Sequence, residues 1–183
     1  DLAVQQGVRV LEDACHTWGT KWKGKGTGAI GDCGAFSFQM SKNITAGEGG
    51  IVLTDDEELA DTIRGYTNIG RSKRRGWYEH FILGTNLRMT EFQAAVLLGQ
   101  LTRLEDQTLR REENGNWLND QLADFPGLHP QKGDPRITRR AYHLYIMRLV
   151  PEEAGFSREQ FMEALKAEGI PCSGGYPYPL YKN

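Results

Sequence analysis

The segment "FSFQMSKNITAGEGGIVLT", which runs from Phe36 to Thr54, holds a single lysine between two apolar stretches. Both of these stretches, "AFSFQ" and "GIVLT", are typical of buried β-strands. Lys42 lies in the loop between them, which closes with the glycine-rich "GEGG". Because a loop lysine is most often solvated, the role of Lys42 has to be judged from the residues on either side.

An acidic pair precedes this segment at the end of another predicted strand. "VRVLEDA" (Val8–Ala14) is a short apolar run that ends in Glu12 and Asp13, as expected of a buried parallel strand. Ligands of open α/β sheets collect at the carboxyl ends of such strands. The stretch between the two segments, "GTKWKGKGTGAIGDCG" (Gly19–Gly34), is rich in glycine, which favours tight turns or a small hairpin.

Two helices are predicted after the second strand. "DDEELADTIRGYTN" (Asp55–Asn68) places acidic residues in its first turn, where the helix dipole favours them. A long helix over Met89–Leu122 follows, with Thr90 as N-cap and Gln93 as its partner in a capping box. The apolar stripe predicted for this helix consists of Phe92, Val96, Leu97, Leu101, Leu104 and Leu109.

A second lobe is predicted after the long helix. It begins with a strand over Ala141–Val150 and a helix over Ser157–Gly169, in which Ser157 is the N-cap. The predicted organisation is therefore a first α/β domain over 1–88, a connecting helix over 89–122 and a second domain over 123–183. Because the chain starts without Met and stops without a closing element, we expect a fragment of a longer protein.

The composition argues against several classes of function. The 183 residues carry a net charge of −2, which favours neither nucleic acid nor an anionic membrane. No apolar run reaches the roughly 20 residues that a membrane span requires. The three cysteines are scattered and form no CxxC pair, so we expect no metal site, no disulfide framework and a cytoplasmic location.

Three of these residues suit a pyridoxal 5′-phosphate (PLP) site. A lysine that forms a Schiff base must be neutral near pH 7, and burial or a nearby positive charge provides this. An acid such as Asp13 keeps the pyridine nitrogen of PLP protonated, and a serine such as Ser37 can bind its phosphate. From the spacing alone, a solvated Lys42, a turn residue at Asp13 and a small strand residue at Ser37 stay open as alternatives.

Two longer stretches carry a family resemblance. "EDACHTWGTKWKGKGTGAIGDCGAFSFQMSKNITAGEGGIVLTDD" and "LGTNLRMTEFQAAVLLGQL" resemble the PLP-dependent sugar aminotransferase family of the DegT/StrS type. The resemblance implies an α/β fold like that of aspartate aminotransferase, which is PLP fold type I. Residues 1–88 would then be the C-terminal part of the large three-layer α/β/α domain, and residues 123–183 a truncated small C-terminal domain. The N-terminal part of such a protein would supply a phosphate-binding turn and an aromatic residue that stacks on the cofactor ring.

The resemblance also implies roles for five residues. Lys42 would bond covalently to PLP and act as the catalytic acid and base, and Asp13 would contact the pyridine nitrogen. His16 would lie near the ring oxygen of the cofactor, and Ser37 would bind its phosphate. Asn86, in "GTNLRM", would reach the phosphate bound by a neighbouring subunit, which implies a homodimer with shared active sites.

The reaction implied is transfer of an amino group from glutamate or glutamine to a ketone on a sugar or cyclitol. The residues around "EDACHTWGTKWKGKG" and "SGGYPYPLYKN" are most similar to members that act on inosose-type cyclitols, with nucleotide-linked keto-sugars as the broader alternative. Two other functions stay open: a PLP-dependent sugar dehydratase, in which histidine replaces the lysine, and an inactive, sensor-like fragment. The basic run Arg71–Arg75 is predicted to be a solvated loop, with a grip on a substrate phosphate or partner subunit as the alternative.

Overall fold

The computed structural model of the chain describes residues 2–72 and 76–182. The strands are β1 (Leu11–Asp13), β2 (Lys21–Trp22), β3 (Lys25–Gly26), β4 (Cys33–Ser37), β5 (Gly50–Leu53), β6 (Leu128–Pro130), β7 (Ile137–Arg139) and β8 (Met147–Leu149). The helices are α1 (Leu2–Gln5), α2 (Glu57–Thr67), α3 (Glu91–Leu122), α4 (Pro151–Ala154) and α5 (Arg158–Ala167), with a 3₁₀ turn at Leu180–Lys182.

These elements form two units. The first contains Asp1–Asn114 and Asp134–Leu144, and the second contains Gly115–Gly133 and Tyr145–Asn183. The division falls inside α3, and the chain returns to the first unit before it continues in the second. The domain boundaries predicted at residues 88 and 122 stay a prediction.

A three-stranded sheet in the order β1-β4-β5 forms the centre of the first unit. Strand β1 runs parallel to β4, with Asp13 opposite Ala35, as predicted. The strand spans only Leu11–Asp13 and is not buried as predicted, since Leu11 is 68% exposed. Strand β5 returns antiparallel to β4, with Gly50 opposite Ser37. Because β1 and β4 are parallel, their carboxyl ends meet at one edge of the sheet. Asp13, at the end of β1, and the start of the loop that carries Lys42, after β4, therefore both lie at this edge.

The predicted glycine-rich hairpin is confirmed, since β2 and β3 pair in antiparallel orientation. The structure adds a third strand, β7, which lies against β2 with Trp22 opposite Ile137. The guanidinium carbon of Arg136 lies 4.5 Å from the centroid of the Trp22 ring and covers this small sheet. Nothing local in either segment indicates this pairing, because it joins stretches that are far apart in the chain.

The carboxylate of Glu12 holds the turn that follows the hairpin. It accepts hydrogen bonds from the backbone N–H groups of Gly28 (2.8 Å), Ile30 (2.6 Å) and Gly31 (2.7 Å). Burial by itself raises the pKa of Glu12, but these three donors outweigh it, and the pKa is lowered. Gly28 adopts a φ of +82°, and a Cβ there would lie 2.3 Å from the Phe36 ring. Glu12 therefore has a structural role in this turn.

The long helix α3 begins with the predicted capping box. Gln93 N–H donates to Oγ1 of Thr90 (3.3 Å), and Thr90 N–H donates to Oε1 of Gln93 (3.0 Å). The prediction of a single buried stripe is wrong. Leu97 is buried and Leu104 packs beside it, as their spacing of two helical turns allows. The other predicted members of the stripe are exposed: Phe92, Val96, Leu101 and Leu109.

The predicted strand over Ala141–Val150 is also mostly wrong. Only Met147–Leu149 is extended, because Tyr142 adopts a φ of +45° in the left-handed region and interrupts the strand conformation. In the second unit, β8 pairs antiparallel with β6, and Leu128 is buried. The helix α5 begins at the predicted N-cap Ser157, whose Oγ accepts a hydrogen bond from Gln160 N–H (3.2 Å). Over residues 2–72 and 76–182, no helix combines the length and apolar character needed to cross a membrane.

Candidate active site

The loop that carries Lys42 is anchored by apolar residues on both sides. Phe38 precedes it with 4% of its surface exposed, and Ile44 follows with 1% exposed. Both side chains pack against Leu97 of α3. Lys42 lies between these two anchors, is half-buried, and donates its backbone N–H to the carbonyl oxygen of Gln39 at 2.9 Å. The lysine therefore lies in a loop whose conformation is held by packing on both sides and by a backbone hydrogen bond.

Two glutamines of α3 hold the same loop through its backbone. Oε1 of Gln100 accepts a hydrogen bond from Thr45 N–H at 3.0 Å, and Nε2 of the same side chain donates to the Thr45 carbonyl oxygen. Two helical turns earlier, Nε2 of Gln93 donates to the carbonyl oxygen of Glu48 at 2.9 Å. The "GEGG" stretch then turns the chain, with φ values of +82° at Gly47 and +135° at Gly49.

Replacing Gln100 with leucine should loosen this loop. The backbone N–H and carbonyl of Thr45 would lose their partners in a half-buried position, which costs about 1–3 kcal/mol in the free energy of unfolding. Urea denaturation of the wild type and of Gln100→Leu measures this loss. Gln121→Leu, which alters an exposed glutamine of the same helix, is the matched control. Equal stability of the two variants would contradict the proposed anchoring role.

Asp13 ends β1 as an ionised carboxylate. Its Oδ1 accepts a hydrogen bond from Cys15 N–H at 3.1 Å. Hydrogen bonds from the Cys15 thiol and from this N–H are the main reasons why the pKa of Asp13 is lowered, and His16 and Lys42 lower it further through their charges. Burial opposes this shift without cancelling it. Asp13 and Lys42 are therefore close enough to interact electrostatically, as the sequence predicts.

His16 lies in the same group of residues. Its ring centroid is 4.4 Å from that of His143, with an angle of 45° between the ring planes. The pKa of His143 is lowered by burial first, and then by the charges of His16, Lys42 and Arg111. The structure thus gathers Asp13, His16 and Lys42 in one place, and adds His143 to them.

Ser37 and Asn86 have their own local contacts. Oγ of Ser37 accepts a hydrogen bond from Gln39 N–H at 3.2 Å, and because the oxygen acts as acceptor, the O–H group can still donate to another oxygen. Asn86 is exposed, and its Oδ1 accepts from Arg88 N–H at 3.3 Å. The contacts described for Asn86 do not join it to Lys42. The roles implied for these two residues stay predictions.

Three residues near Lys42 are missing from the sequence prediction: Asn43, Arg111 and His143. Asn43 follows the lysine directly, and its Nδ2 donates to the carbonyl oxygen of Ala141 at 3.3 Å. His143 belongs to a segment that the sequence analysis predicted as a plain strand, and Arg111 to a helix interpreted only for its apolar residues. No local signal marks either residue, since His143 comes close to Lys42, and Arg111 to His143, only through the fold.

The basic run is described only in part, because Lys73–Arg75 lie outside the described residues. The guanidinium carbon of Arg71 lies 5.5 Å from the ring centroid of Trp77 and 5.1 Å from that of Tyr78. Together with Arg64 and Arg88, Arg71 and Trp77 line a cavity of about 630 Å³. Whether this run is solvated or grips a substrate phosphate or partner subunit stays a prediction. Among the described residues, no group of three His, Cys, Asp or Glu side chains could hold a metal ion.

A loop lysine and a strand-end carboxylate that meet at one edge of an α/β sheet are the arrangement of PLP fold type I. The solved structure of DesV from S. venezuelae supports this class, with a TM-score of 0.89 and 33% identity over 100% of this chain and 47% of that one. The predicted fold class is therefore confirmed.

The chain belongs to the DegT/DnrJ/EryC1/StrS aminotransferase family, whose sequence profile matches residues 1–183. It is 42% identical to the spore coat polysaccharide biosynthesis protein SpsC of Bacillus subtilis, over 91% of this chain and 46% of that protein. It is 37% identical to the L-glutamine:2-deoxy-scyllo-inosose aminotransferase of Streptoalloteichus tenebrarius, over 100% of this chain and 45% of that protein. The chain thus spans about half the length of the curated relatives it matches.

Proposed function

We propose that the whole protein is a PLP-dependent aminotransferase that moves an amino group from glutamine or glutamate to a ketone on a cyclitol or sugar. The observation that carries this proposal is the pair of Lys42, half-buried in an anchored loop, and Asp13, ionised within electrostatic reach of it. Membership of the aminotransferase family supports it.

The residues present suit PLP. When bound, this cofactor draws electrons out of the bond that breaks at the α-carbon of the amino donor. Lys42 would hold the cofactor covalently and, once released by the amino donor, would carry the proton between two carbons as general base and acid. The negative charge of Asp13 would keep the pyridine nitrogen protonated, and Ser37 could donate its O–H to the phosphate. His16 would lie beside the ring.

The acceptor that we propose is an inosose-like cyclitol ketone. The relative from Streptoalloteichus tenebrarius is named for 2-deoxy-scyllo-inosose and for L-glutamine as donor. A nucleotide-linked keto-sugar is the alternative acceptor. The dehydratase alternative requires a histidine at the position of Lys42, so the lysine argues against it.

We also propose that the active protein is a homodimer in which Asn86 of each subunit binds the cofactor phosphate in the active site of the other subunit. The exposed position of Asn86, outside the group around Lys42, is compatible with a role in a second subunit. Cytoplasmic location stays a prediction that rests on the scattered cysteines.

The amino-donor half-reaction tests this function. The full-length protein loaded with PLP should change its visible absorption when L-glutamine or L-glutamate is added without an acceptor, because the amino group passes to the cofactor and a 2-oxo acid is released. D-glutamine, which presents its hydrogen to the wrong side, is the control. If no L-amino acid changes the spectrum or releases a 2-oxo acid, the protein is not a transaminase.

A further inference from the structure

The backbone just before His143 is held in an uncommon conformation. Tyr142 has a φ of +45°, which is unusual for a bulky residue. The residues before it are fixed from two sides: Ala141 N–H donates to Oγ1 of Thr20 at 3.2 Å, and Arg140 N–H donates to Oε1 of Glu112 at 2.7 Å. Such backbone strain persists where the surroundings impose it, and it concentrates at functional sites. Here its effect is to place His143 beside Lys42.

Hydrogen bonds of Asn43 determine which nitrogen of His143 carries the proton. Nδ2 of Asn43 donates to the carbonyl oxygen of Ala141 at 3.3 Å, which fixes the orientation of the side-chain amide. Its Oδ1, which can only accept, then lies 3.4 Å from Nδ1 of His143. The proton of a neutral His143 therefore belongs on Nδ1, and Nε2 keeps a free lone pair.

Burial and the nearby positive charges favour the neutral form of His143. Burial lowers its pKa most, and the charges of His16, Lys42 and Arg111 lower it further. Nη1 of Arg111 is itself buried and has no hydrogen-bond partner among the described residues. The positive charge of Arg111 disfavours an ammonium group at Nε2, whereas a neutral hydroxyl group can donate its hydrogen to this atom.

We propose that His143 is a substrate-binding residue whose Nε2 accepts a hydrogen bond from a hydroxyl group of a polyhydroxylated acceptor. The inference rests on the proposed function and adds a residue that recognises the acceptor and not the amino donor. Asn43 is then a positioning residue, because it sets the tautomer of His143 without touching the substrate.

Nitrogen NMR tests the proposal directly. The full-length protein, loaded with PLP and labelled with ¹⁵N in its histidine rings, is titrated with scyllo-inositol, a polyol that has no ketone to react. The signals of His143 are assigned by their loss in His143→Gln. We expect Nδ1 to be protonated in the free protein, and the Nε2 signal to move as scyllo-inositol binds. A proton on Nε2, or an Nε2 signal that does not move up to the solubility limit of the polyol, would overturn the proposal.

Variants separate recognition from folding. His143→Leu removes the acceptor and should weaken scyllo-inositol binding about 3- to 10-fold, the equivalent of one hydrogen bond. His143→Gln offers an amide oxygen near the position of Nε2 and should recover part of the affinity, whereas Asn43→Leu should shift the proton to Nε2 and weaken binding. His129→Ala, which alters a half-buried histidine paired with Glu153, is the control. Equal affinity of wild type and His143→Leu would refute the role of His143 while leaving the amino-donor half-reaction, and thus the proposed function, intact.

Discussion

Replacement of Lys42 by alanine should abolish transamination and the covalent attachment of the cofactor. The side chain would serve both as the attachment point and as the group that moves the proton. Loss of general acid–base catalysis alone slows a reaction by about 10²–10⁴-fold, and loss of the attachment adds to this effect. The rate of the glutamine half-reaction and the visible absorption band of the bound cofactor are the two measurements.

Borohydride reduction makes this test specific to the residue. Reduction of the wild-type protein loaded with PLP should leave the cofactor permanently attached to Lys42. Mass spectrometry should then detect the added mass on the peptide that contains this lysine. The Lys42→Ala protein should carry no such adduct, while Lys132→Ala, which removes an exposed lysine, should behave like the wild type. An adduct on another lysine would show that Lys42 is not the attachment point.

Replacement of Asp13 by asparagine should leave a protein that still binds PLP but reacts slowly. An aspartate is ionised at neutral pH, and here hydrogen bonds from Cys15 and the charges of His16 and Lys42 lower its pKa further. Asparagine has a similar shape but no charge, so it would no longer hold a proton on the pyridine nitrogen. Since removal of one preorganised electrostatic contact costs about 10²–10³-fold in rate, we expect a loss of this size in the glutamine half-reaction.

Cofactor affinity distinguishes this effect from misfolding. Asp13→Asn should keep a measurable affinity for PLP, and its stability to urea should stay close to that of the wild type. Asp124→Asn, which alters an exposed aspartate, is the matched control. A rate equal to that of the wild type would exclude an electronic role for Asp13 and leave it as a residue of the turn at Cys15.

The parts of the fold that are local in sequence could be predicted. The parallel strand that ends at Asp13, the antiparallel return at Gly50 and the glycine-rich hairpin all follow from short apolar runs and the turns between them. The capping box at Thr90 and the N-cap at Ser157 also follow, because such signals are complete within four residues. Asp13 ends β1 and Lys42 lies in the loop after β4, so the sequence could place both near one edge of the sheet, while their roles come from the family resemblance.

The parts that depend on distant segments could not be predicted. The apolar residues of α3 look like one stripe, but only the tertiary structure decides that Leu97 is buried and Phe92 exposed. The third strand of the small sheet and the left-handed Tyr142 arise from the return of Asp134–Leu144 to the first unit.

The sequence by itself thus indicated the family and the fold class through its resemblance to known members. It also placed Asp13 and the Lys42 loop at one edge of the sheet, because strand direction and turn chemistry are local. Only the tertiary structure decided what surrounds Lys42. Gln100 holds its loop from a helix 55 residues away from Thr45, and His143 meets Asn43 from 100 residues further along the chain. Contacts over such separations depend on how the elements pack, and no pattern in either segment records them.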